Sequence, residues 1–522
     1  GSYQGKKDLL RVNVFSGSET TYQSWNGVPE AKLRGSAADI NDYIIRNGLS
    51  ISDANNIVGS SNRTYNSFTY QDQTDNYWQD HYQALYATQL NNVLTLNGAI
   101  HYTRGKGYYE EFKTDQKLTN YGLLPVVIGS TTISRTDLVR RRWLDNDFYG
   151  FIYALNYAPS TNATFTFGGG WNQYKGDHFG QVVHAQFASN GDNSRHYYDN
   201  MGNKEDLNFY GKASIAPFRN LTFFADLQFR RIDYTVAGTD KNINLLSVED
   251  KLNFFNPKFG FTFNIDQGQN VYGAFSIANK EPNRDDYINV NPGTELMPEH
   301  LKNIEIGYRF KNSAVDAGIN AYGMYYRNQL VITGKINDVG EYFRQNVRNS
   351  YRTGLEGDIS LLISDKITLN VNAAFSRNKI RNFTEFIDDY DNGGQIENNY
   401  VRPDISFSPS IVSGGEIVYN PFKGAAIALQ SKYVSRQYLD NTENKERSLK
   451  AYTVSNIRLG YDLQFKGVKN LNIGLLANNI FNKMYESNGY TFGYFSGGAL
   501  TTENFYFPQA GTNVLLALNI RF

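Results

Sequence analysis

The stretch that decides the fold is the last one, Gly511–Phe522, which reads G-T-N-V-L-L-A-L-N-I-R-F. Every second residue of this stretch belongs to one apolar row: Val514, Leu516, Leu518, Ile520 and Phe522. The alternate row contains Asn513, Asn519 and Arg521 together with Leu515 and Ala517. A period of two over this length predicts a β-strand with one apolar face and one largely polar face.

The same alternation recurs along the chain, as in Leu9–Phe15, Val93–Thr103, Ala163–Asn172, Leu207–Ile215 and Ile367–Ser376. Mean hydropathy is −0.51. No stretch approaches the roughly 18 consecutive apolar residues that a membrane helix needs. A membrane barrel needs only alternate residues to be apolar, because the others face a polar lumen. The hydropathy therefore excludes a helical membrane protein but not a barrel.

The connections between these segments alternate between short and long. The short ones are Leu90–Asn92, Pro159–Asn162, Pro217–Asn220, Asp266–Gln269, Lys311–Ser313, Ser364–Lys366, Pro421–Gly424 and Lys466–Lys469. The long ones are Ser24–Asn76, Gly105–Asp137, Lys175–Glu205, Ala237–Leu252, Glu281–Glu299, Lys335–Ser350, Arg381–Val401 and Glu486–Gln509. Outer-membrane barrels have short periplasmic turns and long extracellular loops, whereas a Greek-key sandwich does not separate loops by length.

We count about 18 strands, an even number with both chain ends on the side of the short turns. A propeller would show a repeat of about 40–50 residues, and none is visible. The sequence therefore predicts an all-β protein, a transmembrane antiparallel β-barrel of the cell outer membrane.

Composition excludes several classes of function. Lys and Arg number 51, as do Asp and Glu, so no basic field indicates nucleic acid as a partner. The chain has no Cys and only six His, and no nucleophile is matched with a base. We therefore expect neither an enzyme nor a bound cofactor.

Four stretches resemble one family, the TonB-dependent outer-membrane receptors. They are N-N-I-F-N-K-M-Y at Asn478–Tyr485, the closing strand Tyr506–Phe522, Asn279–Arg284 with Asn291–Tyr308, and Y-R-T-G-L-E-G-D at Tyr351–Asp358. These stretches lie in the C-terminal half, and the loops Tyr70–Tyr82 and His101–Phe112 look most like receptors of the Bacteroidota. The resemblance implies a barrel of about 22 strands with an N-terminal plug. We accordingly interpret residues 1–522 as the barrel domain, without the plug, the energy-coupling box and the first strands.

The resemblance also implies a function and partners. The expected function is active import of a scarce solute, with a ferric siderophore first and cobalamin, haem or a glycan as alternatives. The expected partners are a TonB-type energy-coupling protein, outer-membrane lipid and lipopolysaccharide, the barrel assembly machinery and a surface lipoprotein. A passive 18-stranded porin is the alternative from another class. Direct pairing of Leu9–Phe15 with Val514–Phe522 would favour the porin.

Candidate ligand-binding residues lie in the long connections and at their borders. Aromatic residues there either contact ligand or pack the loops together: Tyr108, Tyr109, Tyr490 and Tyr494. Where a long connection enters its strand, Arg140, Arg141, Arg142 and Trp143 offer donors either to an anionic ligand or to lipopolysaccharide phosphates.

Two further groups of residues have metal-binding chemistry. His178 and His184 share one predicted loop and are either metal or haem ligands or surface histidines. Asp388, Asp389, Asp391 and Asn392 form an acidic loop that is either a calcium site or a solvated turn. Glu397, the nearest candidate for a bidentate calcium ligand, does not have the spacing of a calcium loop, so we expect no resident metal.

Overall fold

The computed structural model describes residues 1–188, 195–242, 244–289, 296–337, 340–465 and 467–521. Its strands in the first half are β1 Ser2–Gln4, β2 Asp8–Tyr22, β3 Val28–Pro29, β4 Thr74–Asn91, β5 Leu94–Lys117, β6 Val126–Ile128, β7 Thr131–Ile133, β8 Arg135–Ser160, β9 Ala163–Ala185, β10 His196–Phe218, β11 Leu221–Thr239, β12 Leu245–Asn264 and β13 Gln269–Lys280. Those in the second half are β14 Glu299–Lys311, β15 Val315–Ile336, β16 Tyr342–Ser364, β17 Ile367–Ile380, β18 Asn382–Asp389, β19 Gln395–Val401, β20 Ile411–Tyr419, β21 Ala425–Val434, β22 Gln437–Tyr438, β23 Ser448–Leu449, β24 Tyr452–Phe465, β25 Val468–Asn478, β26 Glu486–Ser496, β27 Ala499–Pro508 and β28 Asn513–Arg521. The α-helices are α1 Glu30–Arg34, α2 Ala37–Arg46, α3 Ile51–Gly59 and α4 Arg284–Ile288, and a 3-10 helix covers Leu118–Tyr121.

A single antiparallel sheet of 19 strands forms the barrel wall. Its members are β1, β2, β4, β5, β8 to β17, β20, β21, β24, β25 and β28, and each pairs with the next one in this order. The predicted all-β barrel is confirmed. The wall contains the predicted 18 strands and the three-residue β1. None of the helices in the described ranges has the length and apolarity required to cross a membrane.

Strand register aligns the apolar rows into one continuous outer face. In the closing strand Leu516 lies opposite Leu475, which in turn lies opposite Leu459. Leu516 is 66% exposed, as a side chain facing lipid should be. Val514, Leu518 and Ile520 belong to the same row and are also exposed, whereas Phe522 lies outside the described residues.

The two edges of the sheet bear on the porin alternative. Strand β2 pairs with β4 on one side and with β1 on the other. Strand β28 pairs with β25. Among the described residues no pairing joins β2 to β28. The pairing that would have favoured the porin is therefore not observed there.

Several predicted loops are in fact strands that continue above the membrane. Much of Gly105–Asp137 and Lys175–Glu205 belongs to β5, β8, β9 and β10, and most of Glu486–Gln509 forms the hairpin β26–β27. Strand β8 has 26 residues, whereas a tilted strand crosses a bilayer in about 9–11. The prediction failed because a polar hairpin keeps its backbone hydrogen bonds in water, where the apolar row that marks a membrane strand is not required.

The first and last long connections pack together on the side of the long loops. Residues 23–73 contain α1, α2 and α3, which we call the cap, and β3 pairs with β27. One apolar core joins the cap to the last hairpin and contains Val28, Leu33, Tyr43, Ile57, Tyr65, Leu439, Leu449, Tyr490, Phe505 and Tyr506. This packing brings Trp25, at the base of the cap, next to the upper part of β5.

Candidate functional site

The upper parts of β5 and β8 position the predicted arginine cluster. Tyr109 lies opposite Arg142, and Tyr108 lies opposite Trp143. Because successive side chains of a strand alternate between faces, Arg140 and Arg142 face the lumen, whereas Arg141 and Trp143 face outward. The four residues lie within β8 and not at a loop border, which corrects the predicted position.

The lumen-facing members of this cluster border a cavity of about 590 Å³, which we call the aromatic cavity. Six aromatic residues with lumen-facing or cap positions line it: Trp25, Tyr77, Tyr109, Tyr174, Tyr198 and Tyr234. Charged residues line it as well: Arg142, Lys241, Arg284, Asp75, Asp240, Asp285 and Glu341. Of the predicted site residues, Tyr108, Tyr109, Arg142, Trp143 and His178 are part of its lining. Strand alternation turns the side chains of Tyr108 and Trp143 toward the other face.

Tyr109 connects the wall of this cavity to the cap. Its ring meets Trp25 edge to face, with centroids 5.1 Å apart. Arg142 donates from Nη1 to the Tyr109 hydroxyl at 3.2 Å. The Arg142 guanidinium also lies 5.7 Å from the centroid of the Tyr109 ring. These contacts fix an arginine and two aromatic rings in one corner, a combination that can hold a planar or anionic group.

The contacts of Arg140 are those of a residue that stabilises the fold. Its Nε donates to Glu111 Oε2 at 2.9 Å, and its Nη1 donates to the Tyr121 hydroxyl at 3.1 Å. Glu111 is fully buried. Burial opposes the charged form, but Arg140 and Lys113 outweigh it and lower the pKa of Glu111. This pair holds β5 and β8 together above the membrane.

The two predicted histidines do not form a common site. His178 lies opposite Leu144, and His184 lies opposite Val139 after a bulge between Val139 and Arg140. The bulge reverses the alternation, so His178 faces the cavity and His184 faces away from it. Burial and the nearby Arg284 lower the pKa of His178 to about 3. Within the described ranges, no group of three or more His, Cys, Asp or Glu residues could hold a metal ion.

The opposite side of the aromatic cavity is formed by α4, which sequence analysis did not single out. Asn283 and Asp286 form a capping box that starts this helix. Arg284 Nη2 donates to Asn200 Oδ1 at 2.7 Å, and Asp286 pairs with Arg344 at 3.1 Å. The helix is thus tied to both β10 and β16. The Asn-x-x-Asp spacing at Asn283 is the sequence signal that could have found it.

The predicted tyrosines of the last connection lie elsewhere. Tyr490 is 5% exposed and stacks on Phe505 with centroids 4.5 Å apart. Its hydroxyl donates to the Asn26 carbonyl at 2.9 Å. Tyr494 lies beside Tyr390 with centroids 5.6 Å apart. Neither tyrosine lines the aromatic cavity. Tyr490 packs the loops together, which is one of the two roles expected for these aromatic residues.

The acidic loop is a turn whose carboxylates accept hydrogen bonds from N–H groups. Asp389 accepts from the backbone of Asp391 and Asn392 at 3.0 and 3.1 Å. Asp391 accepts from Gly497 and Gly498 at 2.8 Å each. Asp388 pairs with Lys335 at 3.0 Å. N–H donors and the Lys335 ammonium group therefore already contact these carboxylates.

The outward side of β5 and β8 has its own charge pairs. Arg141 Nε donates to Glu110 Oε2 at 2.7 Å, and its guanidinium lies 4.3 Å from the centroid of the Tyr108 ring. Arg141 and Trp143 thus lie on the face of β8 opposite to that of Arg140 and Arg142.

Comparison with known proteins gives a family and a fold. The family model described as TonB dependent receptor-like, beta-barrel matches residues 2–480. A search of curated proteins returns no match. Among solved structures, the ferric-catecholate import receptor Fiu from E. coli K12 in its closed form aligns with a TM-score of 0.67 at 14% identity, over 99% of this chain and 72% of that one.

Two further structures align over 99% of this chain. The ferric yersiniabactin uptake receptor FyuA from Yersinia pestis has a TM-score of 0.63 at 12% identity, over 68% of that chain. The siderophore receptor PiuA from Acinetobacter baumannii has a TM-score of 0.64 at 13% identity, over 75% of that chain. At these identities the likeness shows the fold.

Proposed function

The chain belongs to the TonB-dependent receptor β-barrel family of the outer membrane, and from this premise we propose that it imports a ferric siderophore. The ligand binds in the aromatic cavity, and a TonB-type coupling protein supplies the energy for import. The structural relatives with siderophore-receptor names support this choice of solute class.

The observation that carries the proposal is the composition of the aromatic cavity. Its volume of about 590 Å³ is in the range of small-molecule sites, about 300–1,000 Å³. Six aromatic rings provide apolar contact area with little loss of side-chain entropy. Arg142 and Arg284 provide planar donor groups that match carboxylate or phenolate oxygens.

The charged residues of the lining indicate which net charge of a siderophore complex fits the cavity. Arg142, Lys241 and Arg284 are opposed by four carboxylates, Asp75, Asp240, Asp285 and Glu341. A lining with this balance disfavours a chelate that carries several negative charges. It suits an aryl siderophore whose iron complex has a low net charge. The same balance makes a glycan the second candidate, because sugars are neutral and also stack on aromatic rings.

The remaining partners follow from the outward surfaces. We propose that Trp143, Arg141 and their neighbours contact lipopolysaccharide, and that the barrel assembly machinery recognises the row Val514–Ile520 of β28. Import of cobalamin or haem stays an alternative proposal, and no contact in the described residues favours either solute over a siderophore. A surface lipoprotein partner also stays a proposal.

Binding to the purified protein tests the proposal. Quenching of tryptophan fluorescence is titrated with a ferric phenolate chelate of low net charge and, for comparison, with the more highly charged ferric citrate. We expect saturable binding of the aryl chelate, weakened about tenfold in Tyr109→Ala and in Arg142→Gln. Tyr390→Ala, at an exposed tyrosine outside the cavity, is the matched control. Equal loss in all three variants, or no binding of any aryl chelate, would contradict the proposed site.

A further inference from the structure

A second cavity lies on the other side of α4. Its volume is about 740 Å³, and we call it the arginine cavity. Strands β15, β16, β18 and β26 and the connection between β22 and β23 supply its walls. Asn289, directly after α4, borders both cavities. The function proposed above does not use this second space.

Charge distinguishes the two cavities. Four cations line the arginine cavity, Lys335, Arg344, Arg348 and Arg447, against three carboxylates, Glu385, Asp388 and Asp440. The cations therefore outnumber the acids here, whereas the acids outnumber the cations in the aromatic cavity.

Each of the three carboxylates already has a cationic partner within the cavity. Asp388 pairs with Lys335 at 3.0 Å. Arg447 Nη1 contacts both Glu385 Oε1 at 2.5 Å and Asp440 Oδ2 at 3.0 Å. Two cations thus pair with all three acids of the lining, so none of these acids engages an arginine of β16.

Both of those arginines lie on one face of β16, because residues four apart in a strand point the same way. Arg344 pairs with Asp286 of α4, which is not part of the lining. Arg348 is exposed and has no ion pair or hydrogen bond among the described residues. Deeper in the cavity, Arg447 is 4% exposed, and its Nε has no hydrogen-bond partner in the part of the chain that the structure describes.

The rest of the wall is partly apolar. Phe343, Phe383, Phe386 and Phe492 line the same space. Phe383 is held rigidly, since it is 3% exposed and packs with Val331, Val347, Ile380 and Ile405. The cavity therefore combines a rigid aromatic wall with one unengaged guanidinium group, that of Arg348, and such a lining can hold an apolar body and a negative group at the same time.

We propose that the arginine cavity is a second binding site, for a small organic anion with a carboxylate on an aromatic or aliphatic body. Arg348 binds the carboxylate, and the phenylalanine side contacts the apolar body. This site is independent of siderophore import, because its recognition chemistry and, apart from Asn289, its lining residues differ from those of the aromatic cavity.

The test uses two probes that differ only in charge. The full chain in lipid nanodiscs is titrated with 4-(trifluoromethyl)benzoate and, separately, with the neutral 4-(trifluoromethyl)benzamide, and fluorine NMR reports binding. We expect the benzoate to bind and the benzamide to bind at least about tenfold more weakly. No ferric chelate is present, so the result does not depend on the proposed transport function.

Variants locate the binding. Arg348→Gln should weaken benzoate binding about tenfold without affecting the fold, because Arg348 is exposed and makes no ion pair among the described residues. Arg219→Gln, at an exposed arginine in the short turn before β11, should leave it unchanged. Equal binding of the two probes, no benzoate binding, or equal behaviour of the two variants would overturn the proposal.

Discussion

At the scale of the residue, strand alternation decides what each charged side chain does. Arg140 and Arg142 face the lumen, while Arg141 and Trp143 face outward. Arg140 is neutralised by Glu111, and Arg142 contacts Tyr109 beside the cavity. Adjacent arginines with the same chemistry therefore serve stability, ligand contact and the outer surface.

The buried Arg140–Glu111 pair gives the first prediction. Glu111→Gln should lower the free energy of unfolding by about 3–5 kcal/mol, since it leaves Arg140 buried without its counter-charge. The measurement is denaturant unfolding in micelles. Lys113→Gln, at the more exposed partner of Glu111, should cost less. A cost for Glu111→Gln no larger than that of Lys113→Gln would contradict a structural role.

The pair also gives a pH dependence. The pKa of Glu111 is lower in the folded than in the unfolded protein, so its contribution to stability is complete above the unfolded pKa. That contribution disappears as the pH falls through the folded pKa. Glu111→Gln should therefore show a smaller loss of stability on acidification than the unaltered protein.

The titration of His178 should make the stability of the protein depend on pH in a higher range than the titration of Glu111 does. Its pKa falls from an ordinary value of 6.5 to about 3 in the folded protein, so only the unfolded state takes up this proton between these values. Stability should fall by about 2 kcal/mol as the pH drops from 7 to 5, and His178→Gln should remove that part of the fall. Unfolding curves at both pH values measure it. An identical fall in the variant would show that His178 titrates normally.

At the scale of the element, the apolar row of each strand faces lipid and the alternate row faces the lumen. Val371 and Asn372 are neighbours in β17 on opposite faces. Val371→Arg should destabilise the barrel by about 2–4 kcal/mol, whereas Asn372→Arg, opposite Asp358, should cost much less. Heat-modifiable mobility and urea unfolding compare the two. Equal costs would contradict the assignment of faces.

The contact between the cap and the last hairpin is the second element that can be tested. Glu486 accepts from Arg34 at 2.6 Å and from Arg63 at 2.7 Å, and it is largely buried. Glu486→Gln should accelerate hydrogen exchange and tryptic cleavage in residues 23–73 roughly tenfold, since two arginines lose their common counter-charge. Glu443→Gln, at a more exposed carboxylate that pairs with Lys379, is the control. Unchanged exchange in Glu486→Gln would show that the apolar core alone holds the cap.

Sequence patterns predicted the membrane part of the fold better than the part above it. The strict alternation of Ile367–Ser376 follows from one face in lipid and one in water, so it is visible in the sequence. Above the membrane polar residues occupy both faces of β5 and β8, as at Glu110, Glu111, Arg140 and Arg141, so the pattern no longer distinguishes a strand from a loop. Trp25 and Arg284 reach the cavity through tertiary packing of the cap and α4, which no local pattern encodes.

The bulge at the upper end of β9 explains why the relative orientation of His178 and His184 could not be predicted from the sequence. His178 and His184 are six residues apart, a spacing that puts both on one face of a regular strand. The bulge between Val139 and Arg140 reverses that relation. A single inserted residue therefore separated two groups that spacing alone would have placed together.

At the scale of the whole molecule, the strand wall, the cap and the last hairpin surround two adjoining cavities of opposite charge bias. The family and the outer-membrane location are established by the match over residues 2–480 and by the fold. Energised import of a ferric siderophore is the central claim that goes beyond them.

Uptake of iron-55 by cells tests that claim most directly. Cells carrying the intact gene are given an iron-55 aryl siderophore, with and without their TonB-type coupling protein. We expect saturable uptake that is lost when either the gene or the coupling protein is deleted, and that Arg142→Gln reduces. Uptake that depends on the gene but persists without the coupling protein, rising linearly with concentration, would contradict it and indicate a passive channel.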